Sequence, residues 1–309
     1  MTDSDTARIR SRKDADGVVT LIVDGTGLDK RAREALHERL QGEEQAAGAS
    51  DVRIAITSAK QGRTLIAIAS GKGGVGKSTV SANLAVALAR MGKHVGLIDA
   101  DIYGPSQPRL FGTSARPEAS GKLLHPVKAH GVRLLSVGQL VPAGQALAWR
   151  GPMAASALAQ LIDGDWGDAE LIIVDLPPGT GDVQLSLVQK ARPAAAVIVS
   201  TPQDLALIDA ERAIDLFGKT GVPVIGLIEN MAGYACPHCG ETSDPFGSGG
   251  AEAAAGRLSI PFLGRLPLSA SLRVASDAGE PPAAGDGPAA DAFKALATAM
   301  LAQLEKVAR

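Results

Sequence analysis

The stretch that decides the fold is Gly-Lys-Gly-Gly-Val-Gly-Lys-Ser-Thr at residues 71–79. An apolar run, Leu65–Ala69, precedes it, and a helical pattern over Lys77–Met91 follows it. A glycine-rich turn between a strand and a helix, with the spacing Gly-x4-Gly-Lys-Ser, is the Walker A phosphate-binding loop. Its glycines let consecutive backbone N–H groups face phosphate oxygens, and the positive end of the following helix adds to the attraction. The stretch therefore predicts a binding site for ATP.

Each residue type in this loop has a predicted task. Lys77 is expected to reach the β- and γ-phosphates and to act in catalysis, and Ser78 is expected to ligate Mg²⁺. The residues expected to bind the nucleotide are Gly71, Lys72, Gly73, Gly74, Val75, Gly76, Lys77, Ser78 and Thr79.

Apolar runs recur beyond the loop, and helical stretches separate them. The predicted strands are 65–69, 95–98, 171–174, 196–199 and 222–228, and the predicted helices are 77–91, 154–162 and 205–219. Continuous apolar strands that alternate with helices are typical of a parallel sheet buried on both faces. Residues 61–309 are therefore predicted to be an α/β domain, a P-loop NTPase whose mostly parallel twisted sheet is covered by helices on both faces.

The two ends of the chain have different patterns. Residues 1–60 are predicted to form a short, separate α+β piece with a polar, mobile start over residues 1–16. Its elements are strands at 17–24 and 51–57 and a helix at 29–41. Near the other end, the Gly-, Pro- and Ala-rich residues 276–290 predict a loop before a final helix at 291–307.

Composition gives no support to several classes of partner, although a local basic patch remains open. The formal net charge is −2 and aromatic residues make up only 3% of the chain, so neither a basic surface nor base-stacking platforms are indicated, and no nucleic-acid partner is expected. The start is polar, and no run of about 18 uncharged apolar residues is present. We expect no membrane partner and a cytoplasmic location.

A second lysine in the loop, Lys72, is not part of an ordinary Walker A motif. With it, the loop resembles the deviant Walker A of the MinD/ParA and nitrogenase-iron-protein class. The resemblance implies that Lys72 crosses the interface of a homodimer and acts in catalysis on the nucleotide of the partner copy.

Three aspartates follow predicted strands, where α/β sheets place their ligands. Asp175 ends the apolar strand 171–174 as a Walker B carboxylate does, and it is expected to support Mg²⁺. The turn 177–181 then looks like a switch segment that senses the γ-phosphate. Asp99 and Asp101 project to the same side of another strand end. By resemblance, Asp101 orients the attacking water as a catalytic residue, and Asp99 supports the magnesium shell.

Recognition of the base and assistance from an arginine are less specific in sequence. Asn230 ends a strand where the resembling class places an asparagine that contacts adenine, and residues 202–204 are a further candidate lining. Arg150, in Trp-Arg-Gly-Pro, is the one candidate noticed for an arginine finger. Slow ATP hydrolysis is expected.

The two cysteines, Cys236 and Cys239, form a Cys-Pro-His-Cys motif in the loop 231–250. A thioredoxin-type redox pair, a zinc site and an iron–sulfur site are the three alternatives. A redox pair would open a helix early in its own fold, which this late, glycine-rich loop does not. Zinc or a four-iron cluster typically takes four thiolates, which two copies of the chain could supply at a two-fold axis.

Taken together, residues 60–275 resemble the Mrp/ApbC family of iron–sulfur cluster carrier ATPases. The motifs that carry the resemblance are the Lys72 loop, Asp-Ala-Asp-Ile-Tyr-Gly-Pro-Ser at 99–106, Trp-Arg-Gly-Pro at 149–152, Asp-Leu-Pro-Pro-Gly-Thr-Gly-Asp at 175–182, and Cys-Pro-His-Cys at 236–239. The resemblance implies a 4Fe-4S cluster held by Cys236 and Cys239 between two subunits, and its ATP-dependent transfer to apo iron–sulfur client proteins. Many members begin with a larger domain that often carries a cysteine, of which residues 1–60 look like a truncated, cysteine-free version.

Two other functions share the nucleotide site. One is a MinD/ParA-like positioning ATPase that acts on a membrane or DNA, for which a basic amphipathic tail or a basic patch would be expected. The other is a nucleotide-dependent scaffold bridged by zinc at the cysteines.

Overall fold

The computed structural model describes residues 7–307 apart from 16, 26–27, 29, 58–62, 122 and 141–150. The chain divides into two compact units, Met1–Arg63 and Thr64–Arg309. Asp29, where the predicted helix 29–41 begins, and the candidate arginine finger Arg150 lie outside the described residues. Within the described ranges, no helix combines the length and the apolar character that crossing a bilayer requires.

The smaller unit is a three-stranded sheet with one helix. Its elements are β1 (Ile9–Ala15), β2 (Val18–Asp24), α1 (Lys30–Ala46) and β3 (Asp51–Thr57). Strand β2 lies in the middle, antiparallel to β1 and parallel to β3. Its alternate residues Val19, Leu21 and Val23 are buried with Leu36 and Leu40 of α1.

Strand β1 corrects the expectation of a mobile start for residues 9–15. The segment is polar, with exposed residues at most positions, so its sequence has no apolar alternation to indicate a strand. Backbone hydrogen bonds to β2 hold it instead, because an edge strand needs only one paired side.

The larger unit is built on an eight-stranded sheet in the order β15-β12-β11-β4-β10-β5-β9-β8. Its strands are β4 (Thr64–Ala69), β5 (Val95–Asp99), β8 (Val127–Ala129), β9 (Val132–Ser136), β10 (Leu171–Asp175), β11 (Ala195–Ser200), β12 (Val224–Glu229) and β15 (Phe262–Arg265). All neighbours pair in parallel except β8 with β9. Two small hairpins lie outside the sheet, β6 (Glu118–Ser120) with β7 (Leu123–His125), and β13 (Tyr234–Ala235) with β14 (Thr242–Ser243).

Helices connect these strands and cover the sheet. They are α2 (Lys77–Arg90), α3 (Gln107–Leu110), α4 (Gly151–Ile162), α5 (Asp182–Ala191), α6 (Asp204–Lys219), α7 (Gly250–Leu258), α8 (Ala270–Asp277) and α9 (Pro288–Val307), with short 3₁₀ turns at Val137–Gln139 and Pro282–Ala284. The expected loop at 276–290 is therefore shorter than predicted, since α8 and the second 3₁₀ turn enter it and α9 begins at Pro288.

Alternate residues of the central strand β4 serve two separate cores. Ile66 and Ile68 join an apolar cluster with α2 and α9, whereas Ala67 and Ala69 join another with α4 and α6. Successive side chains of a strand point to opposite faces, so a strand buried on both faces needs no polar alternation. The two clusters confirm the predicted α/β fold with helices on both faces. They leave the carboxyl ends of β4, β5, β10, β11 and β12 together at one edge.

Candidate functional site

The phosphate loop runs from the end of β4 into α2, as predicted. Gly76 has φ 78°, a backbone conformation that favours glycine, and it is the first residue before the helix. A Cβ at Gly76 would lie 2.3 Å from Nδ2 of Asn230, which donates a hydrogen bond to the carbonyl of Val75 at 2.8 Å. Asn230 therefore contacts the loop itself, from the end of β12.

The first residues of the phosphate loop pack directly on neighbouring backbone. A Cβ at Gly71 would lie 2.0 Å from the carbonyl of Asp209 in α6, so only glycine fits there. Ser70 Oγ donates to the carbonyl of Lys72 at 2.9 Å, and the N–H of Gly179 donates to the carbonyl of Ser70 at 2.9 Å. The second of these bonds connects the phosphate loop to the turn at 177–181.

Lys77 lies buried at the centre of the site. Its Nζ is 2.6 Å from Oδ1 of Asp175, 3.2 Å from Oγ of Ser78 and 3.9 Å from Oδ2 of Asp101. The side chain of Lys77 is 5% exposed and that of Asp175 is 0% exposed. The structure thus brings together four residues that the sequence predicted from three separate segments.

Two residues that sequence analysis missed complete the surroundings of Asp175. Ser81, one turn into α2, donates to Oδ1 at 2.9 Å. Gln107, at the start of α3, donates from Nε2 to Oδ2 at 2.8 Å and to the carbonyl of Ser78 at 2.9 Å. Ser81 could have been found from its place four residues after Lys77 on one helix face. Nothing in the spacing around Gln107 indicates its role.

The amide oxygen of Gln107 bears on whether the site fits a divalent cation. Nε2 of Gln107 donates to the carbonyl of Ser78 and to Oδ2 of Asp175. Its Oε1 is buried and accepts no hydrogen bond from the described residues. Ser78, Asp101 and Asp175 add further oxygen atoms around the same centre. A set of hydroxyl, carboxylate and amide oxygens suits Mg²⁺ and its bound waters, so these residues fit the predicted ion.

Asp99 and Asp101 occupy different environments although they are two residues apart. Oδ2 of Asp99 accepts hydrogen bonds from the N–H of Gln107 at 3.0 Å and from Oγ of Ser136 at 2.9 Å, and Oδ1 accepts from the N–H of Asp101 at 3.2 Å. Burial, and then the charge of Asp175, raise the pKa of Asp99 to about 7. With both oxygens bound by protein donors, Asp99 is arranged to hold the turn and α3 in place. Its Oδ1 has a single donor among the described residues and can accept a second, so the role of Asp99 in the magnesium shell stays a prediction.

Asp101 keeps one oxygen toward the site. Its Oδ1 accepts from the N–H groups of Tyr103 and Gly104 at 3.1 and 3.2 Å, whereas Oδ2 faces Lys77. Burial raises the pKa of Asp101, and the nearby charge of Lys77 acts in the opposite direction. A carboxylate with one fixed oxygen and one directed toward the site can orient a polar ligand.

Lys72 differs from Lys77 in its burial and in its polar contacts. It is half-buried, and no residue in the described part of the chain forms a hydrogen bond or an ion pair with its ammonium group. Its backbone is held by Ser70, as described above. Over the described residues, the two lysines of the loop thus have different surroundings.

The cysteines lie on the small hairpin β13–β14, which follows β12. The N–H of Cys236 donates to the carbonyl of Glu241 at 2.9 Å, and the N–H of Gly240 donates to the carbonyl of Cys236 at 2.8 Å. Both thiols are free, Cys236 half-buried and Cys239 exposed. The N–H groups of Cys239 and then of His238 face the sulfur of Cys236 and lower the pKa of its thiol. The turn thus favours the thiolate, which is the form that binds metals.

A single copy of the chain offers few ligands to such a metal. Over the ranges that the structure describes, no group of three or more His, Cys, Asp or Glu side chains comes together as a metal site. Cys236 and Cys239 can therefore supply half of the four thiolates that a tetrahedral metal or a four-iron cluster typically takes.

Comparisons with known proteins agree with this geometry. The family model for ParA, described as NUBPL iron-transfer P-loop NTPase, matches residues 61–301. An iron-sulfur cluster carrier protein of Deinococcus radiodurans is 49% identical over 82% of this chain and 73% of its own length. A nucleotide-binding protein from Archaeoglobus fulgidus, solved in complex with ADP, has a TM-score of 0.63 and 41% identity over 70% of this chain and 86% of that one.

A more distant structure shares the architecture. The MinC:MinD cell division complex of Aquifex aeolicus aligns with a TM-score of 0.59 and 25% identity over 77% of this chain and 96% of that chain. The family model covers the whole of the phosphate loop, the three aspartates and the cysteine hairpin. The chain therefore belongs to the ParA-type family of NUBPL iron-transfer P-loop NTPases.

Proposed function

We propose that this protein is an ATP-hydrolysing iron–sulfur cluster carrier that holds a 4Fe-4S cluster between two copies of the chain and passes it to apo-proteins. The observation that carries the proposal is the pair Cys236 and Cys239, the only cysteines of the chain, held with a stabilised thiolate in a P-loop NTPase domain. The Deinococcus relative, named as a carrier of this kind, supports the same function.

The nucleotide site supports hydrolysis through positioning and charge. Lys77 lies where a phosphate oxygen can replace Asp175 as its partner, and Oγ of Ser78 lies 3.2 Å from its Nζ. Mg²⁺, when bound, neutralises phosphate charge, and Ser78, Asp175 and Gln107 would hold it directly or through water. Oδ2 of Asp101 then accepts a hydrogen bond from the attacking water and orients it. Gly71–Thr79 surround the phosphates, and Asn230 lies next to them as the candidate contact for the base.

Two independent features call for a homodimer. The ammonium group of Lys72 has no partner in the described chain, and in the proposed assembly it reaches the phosphates of the other copy. The two thiolates of one copy are completed by the two of the other across a two-fold axis. Nucleotide binding and cluster binding thus share one interface.

A zinc-bridged scaffold is the second candidate, and a specific observation favours it. A Cys-x-x-Cys turn with N–H groups directed at sulfur suits tetrahedral zinc as well as iron. In that case the nucleotide residues keep their roles and the cysteines carry no transferable cluster.

Anaerobic reconstitution separates the two candidates. The purified protein is treated with iron and sulfide, desalted, and analysed for its absorption near 400 nm and for iron, sulfide and zinc per chain. The carrier predicts a broad band, about two iron atoms per chain and transfer of the band to an apo-ferredoxin. A Cys236→Ser/Cys239→Ser variant should bind neither iron nor sulfide and should keep its affinity for ATP. Bound zinc without the band, or equal iron in the variant, would overturn the carrier function.

A further inference from the structure

The end of β12 contacts the phosphate loop through two consecutive residues. Nδ2 of Asn230 donates to the carbonyl of Val75. The Cε methyl of Met231 also lies close, since a Cβ at Gly76 would be 3.6 Å from it. Met231 has φ 60°, a conformation that a non-glycine residue adopts at a cost. The chain therefore turns sharply as it leaves β12 and enters the cysteine loop, residues 231–250.

Glu229, the residue before Asn230, holds the C-terminal end of the cysteine loop. It is fully buried, and its two oxygens accept hydrogen bonds from the N–H of Gly249 at 3.0 Å and from the N–H of Ala251 at 2.7 Å. These groups belong to the first turn of α7, where unpaired N–H groups favour a carboxylate. Entry to the cysteine loop at 231 and exit from it at 249 are thus both fixed by Glu229 and its neighbour.

The C-terminal end of the cysteine loop also packs closely against the segment after β11. A Cβ at Gly250 would lie 2.5 Å from the carbonyl of Pro202, the first residue of the candidate base lining. The backbone at 250 cannot move toward Pro202 and is held by the carboxylate of Glu229 beside it. Both ends of the loop that carries Cys236 and Cys239 are therefore in contact with segments that the sequence predicts to line the nucleotide site.

We propose that Glu229 is a positioning residue that transmits nucleotide occupancy from the phosphate loop to the cysteines. When a nucleotide engages the phosphate loop or Asn230, the Asn230–Val75 bond and the turn at Met231 adjust. Glu229 follows because it is next in the strand, and its carboxylate carries the N–H groups of Gly249 and Ala251 with it. The proposal rests on the proposed function and adds a path by which ATP changes how firmly the cysteines hold their cargo.

Thiol reactivity tests this path without any cluster. Because Cys236 and Cys239 are the only cysteines, an aromatic disulfide that releases a coloured thiolate reports on this loop alone. We expect Mg-ADP to change the reaction rate of the cluster-free wild-type protein by about threefold or more, in line with ordinary coupling between sites. Glu229→Gln keeps the shape of the side chain but turns an amide NH₂ toward one of the two N–H donors. It should retain affinity for Mg-ADP and lose the nucleotide effect on the thiols.

Glu211→Gln is the matched control. Glu211 lies in α6 and pairs at 2.9 Å with Arg257, in the last turn of α7. Glu252 would not serve, because its partner Arg265 also lies 3.7 Å from Glu229. The Glu211→Gln variant should keep the wild-type nucleotide effect. A wild-type nucleotide effect retained in Glu229→Gln, or the same loss in Glu211→Gln, would overturn the proposal.

Hydrogen exchange on the wild-type protein covers the case in which Glu229→Gln does not fold. Protection of the N–H groups of Gly249 and Ala251 should change on addition of Mg-ADP, and unchanged protection would overturn the path. Failure of the proposed carrier function is recognised separately, because it appears as absent iron binding while the thiol and exchange responses persist.

Discussion

The phosphate loop and the cysteine loop belong to one domain, but they are held in opposite ways. Lys77 and Asp175 are buried, and long-range contacts from α2, α3 and β10 fix them. Cys236 and Cys239 are at least partly exposed on a hairpin with two-residue strands, and the backbone of the turn itself stabilises the thiolate. A site that must hold charged groups in fixed positions around a phosphate is built into the core, whereas a site that must hand over its cargo stays at the surface.

The largest expected effect comes from removing the buried cation. Lys77→Ala should lower affinity for Mg-ATP by about 100-fold or more and abolish measurable hydrolysis, because a charge-assisted contact to phosphate is lost. Asp175 also loses its ion partner, and leaving a buried charge uncompensated typically costs about 3–5 kcal/mol of folding free energy. Calorimetric titration and urea unfolding measure the two losses.

Urea unfolding of a variant in the cysteine loop should show almost no loss of stability. Cys236→Ser/Cys239→Ser should leave the unfolding free energy within about 0.5 kcal/mol of wild type, as is usual at exposed positions. Comparable destabilisation in the two variants would contradict the contrast between a buried and a surface site.

Lys72→Ala tests whether the nucleotide site extends beyond one chain. It should lower kcat by about 100-fold, as loss of a charge-stabilising group does, while affinity for Mg-ATP stays within about threefold of wild type. Steady-state kinetics and titration distinguish the two parameters.

Mixing variants makes this test specific for a shared site. In a dimer of Lys72→Ala with Lys77→Ala, one composite site keeps both lysines. Random mixing should therefore restore roughly a quarter of wild-type turnover, since half of the dimers carry one complete site out of two. A mixture as inactive as its components would show that Lys72 does not act across an interface.

How far sequence predicts this molecule follows the same division. The phosphate loop and the strand-end aspartates were predictable because local spacing places them at one sheet edge. Gln107 was not, since its burial against Ser78 and Asp175 depends on how α3 packs and not on any periodicity. The position of Asp99 was predicted correctly. Its environment, with Ser136 from another strand, emerges only from the fold. Strand β1 escaped prediction because its pairing is made by the backbone.

Glycine substitutions compare the packing of the two loops. Gly71→Ala should lower the unfolding free energy by about 3 kcal/mol, because its Cβ would overlap the backbone of Asp209. Gly240→Ala has open space around its Cβ but φ 75°, so about 1 kcal/mol is expected from the backbone alone.

A third glycine serves as the control for this comparison. Gly218 lies inside α6 with nothing near its Cβ, so Gly218→Ala should raise stability by about 0.5 kcal/mol. Urea unfolding of all three variants ranks them. If Gly71→Ala were as mild as Gly240→Ala, the phosphate loop would be less tightly packed than the structure indicates.

The smallest expected effect concerns the acidity of one thiol in the metal-free protein. N–H groups lower the pKa of Cys236, so its thiolate persists to lower pH than an ordinary thiol, and its alkylation by iodoacetamide should begin at lower pH than that of an ordinary thiol. Mass spectrometry of the alkylated peptide between about pH 6 and 9 separates the two cysteines.

Cys239→Ser keeps the N–H at position 239, the largest cause of the lowered pKa, so Cys236 should still titrate below the ordinary range. A return to the ordinary pKa in that variant would mean that the neighbouring thiol, rather than the backbone of the turn, stabilises the thiolate. The cysteine loop would then depend on side-chain contacts, as the phosphate loop does.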